Sequence, residues 1–272
     1  MTARTDRTDR SDHEEELPAI VATNVQRWKA DDDAWRGYHK DEGKLVLDAR
    51  VEVGLDLVRP LPGASYLDIG CANGVLTRVY AERIEASTVT GVDFVDMGMG
   101  PGITFQQANL DTREPLPFGP ASFDVVTCME TLEHLHDTDH IVSEIRRILK
   151  PGGYAILAVP RLDALLNMAM LAVGYQPPAI ECSLRTRYGA PRAADASAGP
   201  RVSGHVSHFT RRALLELVHA NGFTVERFAQ ASIYRAWRFS SEKAPPMWQR
   251  VPMWMISKVP FKQDELLVRI RP

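Results

Sequence analysis

From Ser65 to Val159 the chain alternates short β-rich runs with helical patterns, and this alternation limits the folds open to it more than any other feature. Residues 65–69, 88–94, 103–108, 123–129 and 154–159 read as strands, while 75–84 and 140–149 read as helices. Short apolar strands separated by helices are buried on both faces. The expectation is therefore a mostly parallel sheet with helices packed on each side.

The flanks are organised differently. Residues 1–16 are polar, charged and almost free of aliphatic side chains, which predicts a disordered tail. Residues 17–62 predict an N-terminal helical cap: Val46, Leu47, Val51, Leu55 and Val58 recur three to four apart until Pro60, Pro62 and Gly63 end the pattern. The main domain then runs over 63–272. Its rhythm breaks at 161–204, with a methionine-rich apolar stretch (165–173) and a loop rich in Ala, Pro, Gly and Arg (189–204), read as a lid or binding insertion. Thr210 is placed to cap a helix reaching Ala220, with Asn221-Gly222 as its stop. Strands are expected at 223–228 and over the last eight residues.

Composition excludes several classes. A net charge of −3 gives no global basic field, which argues against broad nucleic-acid binding. Cys71, Cys128 and Cys182 are widely spaced without a CxxC pair, which suits a reducing cytoplasm better than a disulfide framework or a zinc cluster. The N-terminus has no apolar signal core, and no window holds 18 continuous apolar residues. A cytoplasmic protein without a transmembrane segment is expected.

The turn after the first main-domain strand reads Leu67-Asp68-Ile69-Gly70-Cys71-Ala72-Asn73-Gly74. Gly70 and Gly74 permit a tight turn and a close approach of backbone to a ligand, at the carboxyl end of a strand where open α/β sheets bind them. Asp68 puts a carboxylate at that turn, which would repel a pyrophosphate and accept a cationic amino-acid group. The spacing also departs from the GxGxxG fingerprint. Asp93 ends the second strand, where an acid can accept both hydroxyls of a ribose. Asn109-Leu110-Asp111 follows the third strand, within reach of a base.

LDIGCANG, GVDF, ANLDTREPLPF, FDVVTCMETLEHL and RRILKPGGYAILAVP, in that order, resemble the successive motifs of class I S-adenosylmethionine (SAM)-dependent methyltransferases. The resemblance is dense over 65–159 and resumes at 204–228 and in the last strand. It implies a Rossmann-like, seven-stranded, mostly parallel sheet with a helical cap and an insertion after strand five. It assigns Asp68, Gly70, Cys71, Ala72 and Gly74 to the methionine end of SAM, and Asp93 with Phe94 to the ribose. Asn109, Leu110 and Asp111 fall to the adenine, and Met129 lies beside the donor. Ala72 replaces the commoner Gly, and Asn109 stands where many relatives carry Asp, which leaves the adenine contact open between Asn109 and Asp111.

Met129-Glu130-Thr131-Leu132-Glu133-His134 begins at the end of the fourth strand. Glu130, Glu133 and His134 stand at i, i+3 and i+4, so one helical turn would gather them on a face. Two carboxylates and an imidazole can hold a divalent ion such as magnesium, manganese or zinc. This E-x-x-E-H pattern resembles the metal-dependent O-methyltransferases of ubiquinone-precursor catechols and of small-RNA ribose. That resemblance implies a further ligand at His205, ahead of His208, and an acceptor with adjacent hydroxyls. Without a metal, His134 or His205 would act as base or orienting group, with Glu130 lining the cofactor pocket.

Trp28, Trp35, Tyr38 and His39 form an aromatic set expected to be core before substrate box. Arg185, Arg187, Arg192 and Arg201 could meet an acidic group on the acceptor, with a solvated loop as the default. Segment 245–262 mixes aromatic and basic residues, but four prolines leave only a short helix. Packing on the domain or in a homodimer is expected there ahead of membrane-surface contact. These features point to methyl transfer to oxygen of a small-molecule acceptor. The rivals are metal-independent N- or C-methylation, a non-catalytic SAM-binding interaction protein, and a nicotinamide-dependent oxidoreductase.

Overall fold

The computed structural model describes residues 38–41, 44–177, 180–183, 188–189, 203–232 and 263–272, all within one compact unit, Asp33–Pro272. Its centre is a seven-stranded sheet. The strands are β3 (Ser65–Ile69), β4 (Thr88–Asp93), β5 (Thr104–Gln107), β6 (Phe123–Met129), β7 (Leu149–Pro160), β8 (Thr224–Ala231) and β9 (Glu265–Arg271). They lie in the order β5-β4-β3-β6-β7-β9-β8. β9 runs antiparallel to both β7 and β8, while the remaining pairings are parallel. This is the mostly parallel, Rossmann-like sheet that the alternation predicts.

Period-two alternation divides the core. Leu67, Ile69, Val126, Cys128, Leu157, Val159, Leu266 and Val268 face one side, packed against α3 (Thr138–Ile148) and α5 (Arg211–Ala220). Tyr66, Val125, Ile156, Ala158 and Leu267 face the other, packed against α1 (Ala49–Leu57) and α2 (Val75–Ile84). Side chains cap three of these helices: Asp48 accepts from Arg50 N at 2.9 Å, Asp137 from His140 N at 3.1 Å and Thr210 from Ala213 N at 3.2 Å, contacts each worth about 1 kcal/mol.

The strand order reverses at β3, which is flanked by β4 and β6. The carboxyl ends of β3 and β6 therefore border the crevice where ligands enter such sheets.

One expectation is corrected. The helical pattern read over 18–58 holds only at 49–57 in the described part. Tyr38–Asp41 (β1) and Lys44–Leu47 (β2) pair as an antiparallel ribbon, with Tyr38 opposite Leu47. Asp48 accepts from Arg50 N at 2.9 Å and Val51 N at 3.1 Å, so the helix starts at its cap and cannot extend back through Val46. In the insertion, Leu165–Ala172 forms α4. Trp28, Trp35, Arg185, Arg187, Arg192, Arg201, the tail 1–16 and segment 245–262 lie outside the described residues, as does the side chain of His39.

Candidate active site

The glycine turn closes as a cradle at the end of β3. Gly70 sits at φ +77° and Gly74, which starts α2, at φ +74°. An added Cβ on Gly70 would stand 2.1 Å from Thr131 Oγ1, and one on Gly74 would stand 2.8 Å from Met99 Cε. A side chain at either position is strained by the positive φ, and at Gly70 it would also collide with the β-branched Thr131. Ala72 also takes positive φ, at 46°, and its N–H donates to Asp93 Oδ2 at 2.8 Å. Asp93 Oδ1 accepts from Phe94 N at 2.6 Å. One carboxylate thus ties the cradle to the end of β4; burial raises its pKa against those N–H bonds. Cys71 N donates to Val92 O at 3.3 Å, completing that tie.

Asp68 is buried beneath the turn. Its two oxygens accept from Thr77 Oγ1 and Thr127 Oγ1, both at 2.6 Å. Burial pushes its carboxyl up to about 6, although both hydroxyls lower it and the charge of Asp93 adds to the rise. Asp68 therefore braces the cradle between α2 and β6. Tyr38 reaches the same turn from the ribbon, where its hydroxyl accepts from Asn73 Nδ2 at 2.8 Å.

After β5, Asn109 Oδ1 accepts from Asp111 N at 3.0 Å, and Leu110 is buried. Both oxygens of Asp111 are taken up by His136, through its N–H and its Nδ1, each at 2.7 Å. Asp111 lies in the wall of an open cleft shared with Thr112, Arg113, His136 and Asp137. Met129 turns its side chain toward Gly54 of α1, while its carbonyl accepts from Thr131 Oγ1 at 3.1 Å beside the cradle.

The acidic turn after β6 divides its side chains. Glu130 takes φ +52°, and a short 3-10 helix starts only at Leu132. The helical face expected to join Glu130 with Glu133 and His134 therefore does not form. Glu130 Oε2 instead accepts from Arg50 Nη1 at 3.0 Å, and Arg50 also pairs with Asp48 at 2.7 Å. Burial disfavours the Arg50 charge, but Glu130, Asp48 and Glu265 more than offset that and hold its pKa up.

Glu133, His134 and His205 do converge, with one ligand atom from each within 4.8 Å of the others. Glu133 is buried, with its Oε1 4.0 Å from His134 Nε2. The rings of His134 and His205 are 5.0 Å apart, edge to face. Gly204 O lies 3.2 Å from His134 Nδ1; a carbonyl only accepts, so that nitrogen carries the proton. Val206 N and Ser207 N donate to Glu133 O at 2.8 and 3.0 Å, which brings His205 to the turn. His208 faces solvent.

The sequence reading missed Arg50, Thr77, Met99, Thr127 and Glu265, and held Tyr38 only as one of an aromatic set. Arg50 lies between Asp48 and Glu52, and Glu265 follows Asp264, so local pattern singles out neither charge. Pairing partners so far apart in sequence leaves no trace there.

The glycine cradle, the carboxylate ending β4 and the acid–histidine turn after β6 all lie at the carboxyl end of the parallel strands. The chain belongs to the methyltransferase-domain family, whose pattern matches residues 40–227. It is 33% identical over 121 residues to a ubiquinone biosynthesis O-methyltransferase of Paracidovorax citrulli, covering 40% of this chain and 49% of that one. A protein of the same description from Idiomarina loihiensis is 31% identical over 163 residues, covering 56% and 63%. The chain thus spans about half to two thirds of the length of these relatives. A solved SAM-dependent methyltransferase from Mesorhizobium loti shares the fold at 22% identity and a TM-score of 0.52, over 82% of this chain and 98% of that one. Fold and family make this chain a SAM-dependent methyltransferase. Gly70, Ala72, Gly74 and Asp93 form the cradle at the ends of β3 and β4, over the buried Asp68. Among the described residues no helix is long and apolar enough to cross a membrane.

Proposed function

We propose that the enzyme methylates a hydroxyl oxygen of a small or amphiphilic molecule bearing neighbouring hydroxyls, such as a catechol or a sugar. A divalent ion held by Glu133, His134 and His205 assists. The convergence of those three residues beside the cofactor cradle carries this reading. The fit is supported by Glu133 Oε2, which is buried and receives no hydrogen bond among the described residues. A carboxylate oxygen so placed calls for a cation or a proton. One carboxylate and two imidazoles suit a borderline ion such as zinc or manganese better than magnesium. Glu130, committed to Arg50, stands outside this ligand set. The oxygen-methylating description of the curated relatives points the same way.

When bound, the ion supplies Lewis acidity that favours the ionised form of an acceptor hydroxyl. The protein's own contribution is placement. The cradle fixes the cofactor and the 129–134 turn fixes the ligands, so that the acceptor meets the methyl group in line. No nucleic-acid partner is part of this reading. A cytoplasmic setting belongs to it, in keeping with Cys71 and Cys128, buried thiols that burial keeps protonated.

The test is a titration of chelator-treated protein with manganese or zinc, wild type against Glu133→Ala, beside transfer of labelled methyl to a panel of catechols and sugars. One equivalent of metal bound in wild type and lost in the variant, with transfer abolished by chelator, is the expected result. Transfer that survives chelation would sink the metal and favour a second reading. There His134, with its tautomer fixed by Gly204 O, takes the acceptor proton itself, and nitrogen or carbon acceptors enter the panel.

A further inference from the structure

Glu265 opens β9, where it faces Pro160 of β7 and Ala231 of β8. Glu130 follows β6 on the other side of β7, and its N–H donates to Ala158 O at 3.0 Å. The two acids therefore flank the carboxyl end of the same strand. There both acids hold buried carboxyl oxygens, and burial together with the charge of Glu130 raises the pKa of Glu265.

Glu265 is 0% exposed. Among the described residues neither of its oxygens receives a hydrogen bond from a donor group, and the same holds for Glu130 Oε1. Two buried carboxylates cannot satisfy each other, because ionised oxygens only accept. Arg50 neutralises one charge and is already shared between Asp48 and Glu130. A proton between the two carboxyls supplies the missing donor and removes the surplus buried charge.

We propose that Glu265 is a positioning residue of the active site: as a carboxylic acid it donates a hydrogen bond to Glu130, which is thereby clamped between Glu265 and Arg50. The clamp fixes a residue whose backbone sits at φ +52°. Such a conformation persists only when its surroundings over-determine it. The turn it fixes carries Thr131, packed on Gly70, and leads into Glu133 and His134. Burial, followed by the neighbouring Glu130 charge, favours the protonated form of Glu265, with Arg50 opposing. The inference rests on the methyltransferase reading of the turn, though not on the identity of the acceptor or on the metal.

The test compares wild type, Glu265→Gln and Glu265→Ala in three readouts: infrared difference spectra at neutral pH, amide exchange over 129–134, and calorimetric affinity for S-adenosylhomocysteine. The wild-type-minus-Glu265→Gln spectrum is expected to contain the C=O band of an un-ionised carboxyl. Glu265→Gln retains a donor of the same shape and is expected to keep exchange rates and affinity within about twofold. Glu265→Ala is expected to speed exchange and to weaken affinity by about tenfold or more. A difference spectrum showing only an ionised carboxylate overturns the proposal, even if Glu265→Ala fails to fold. So does a Glu265→Gln variant as impaired as Glu265→Ala, or an unimpaired Glu265→Ala. Loss of S-adenosylhomocysteine binding in the wild type itself would instead refute the cofactor site, while the infrared result would still decide the shared proton.

Discussion

Gly70→Ala tests whether the cradle depends on the contact between Gly70 and the reactive turn. Alanine at φ +77° costs about 1–2 kcal/mol. Its Cβ would stand 2.1 Å from Thr131 Oγ1 and 2.9 Å from Thr131 Cγ2, overpacking worth about 1–3 kcal/mol. Reduced freedom of the unfolded chain returns about 0.4–1 kcal/mol, leaving a net loss of about 3 kcal/mol. For a chain of this size that is a fall in Tm of about 6–12 °C. Thr131→Ala loses hydroxyl contacts to Ile69 O at 3.2 Å and Met129 O at 3.1 Å, about 1 kcal/mol. Combining the two removes the hydroxyl and the methyl but not the backbone strain. The double variant should therefore be about 1–2 kcal/mol more stable than the sum of the single effects. Denaturant unfolding of all four proteins measures this directly. Strict additivity would refute the contact as the reason for glycine at 70, and an unaffected Gly70→Ala would refute the strain as well.

Two further outcomes follow from the same cradle. Asp68 is buried with its carboxyl at about 6 against 3.8 unperturbed, so the folded protein holds that proton more tightly than the unfolded chain. Its stability contribution is complete below about pH 4 and is lost as pH rises through about 6, some 3 kcal/mol in all. Asp68→Asn should flatten that part of the stability–pH curve, and an unchanged slope would show that Asp68 is not its source. Asp93→Asn leaves one acceptor oxygen where two now serve Ala72 N and Phe94 N. S-adenosylhomocysteine affinity should fall at least about tenfold, or about 1.4 kcal/mol; calorimetry giving equal affinity would remove Asp93 from the cofactor site.

Legibility followed range. β3, α2 and β6 appear at the residues their patterns predict, because pleat and helix periods are local and burial on both faces makes them strong. At 38–41 and 44–47 the helical spacing misleads, and the chain pairs as a ribbon. Val46 and Leu47 fit a helical spacing with Val51 by chance, and the strand pairing of Tyr38 with Leu47 cannot be seen in such a window. Glu130 was placed with Glu133 and His134 for a similar reason: i, i+3 and i+4 share a face only if the backbone is helical, and a φ of +52° breaks it.

The sequence by itself determined the class of sheet, the glycine turn with Asp68 before it, the acid ending β4 and the acid–histidine run after β6. Each is written in neighbouring residues, where sterics and hydrogen-bond chemistry act over a few bonds. Only the tertiary structure decided what those residues face. It put Glu130 on Arg50, 80 positions away, and brought His205 to His134 by hanging 206–207 on Glu133 O. It also closed Asp68 between Thr77 and Thr127 and placed Glu265 and Glu130 on either side of the end of β7. These partners were chosen by strand order and by the need of buried charges for a counterpart, neither of which leaves a mark in local pattern.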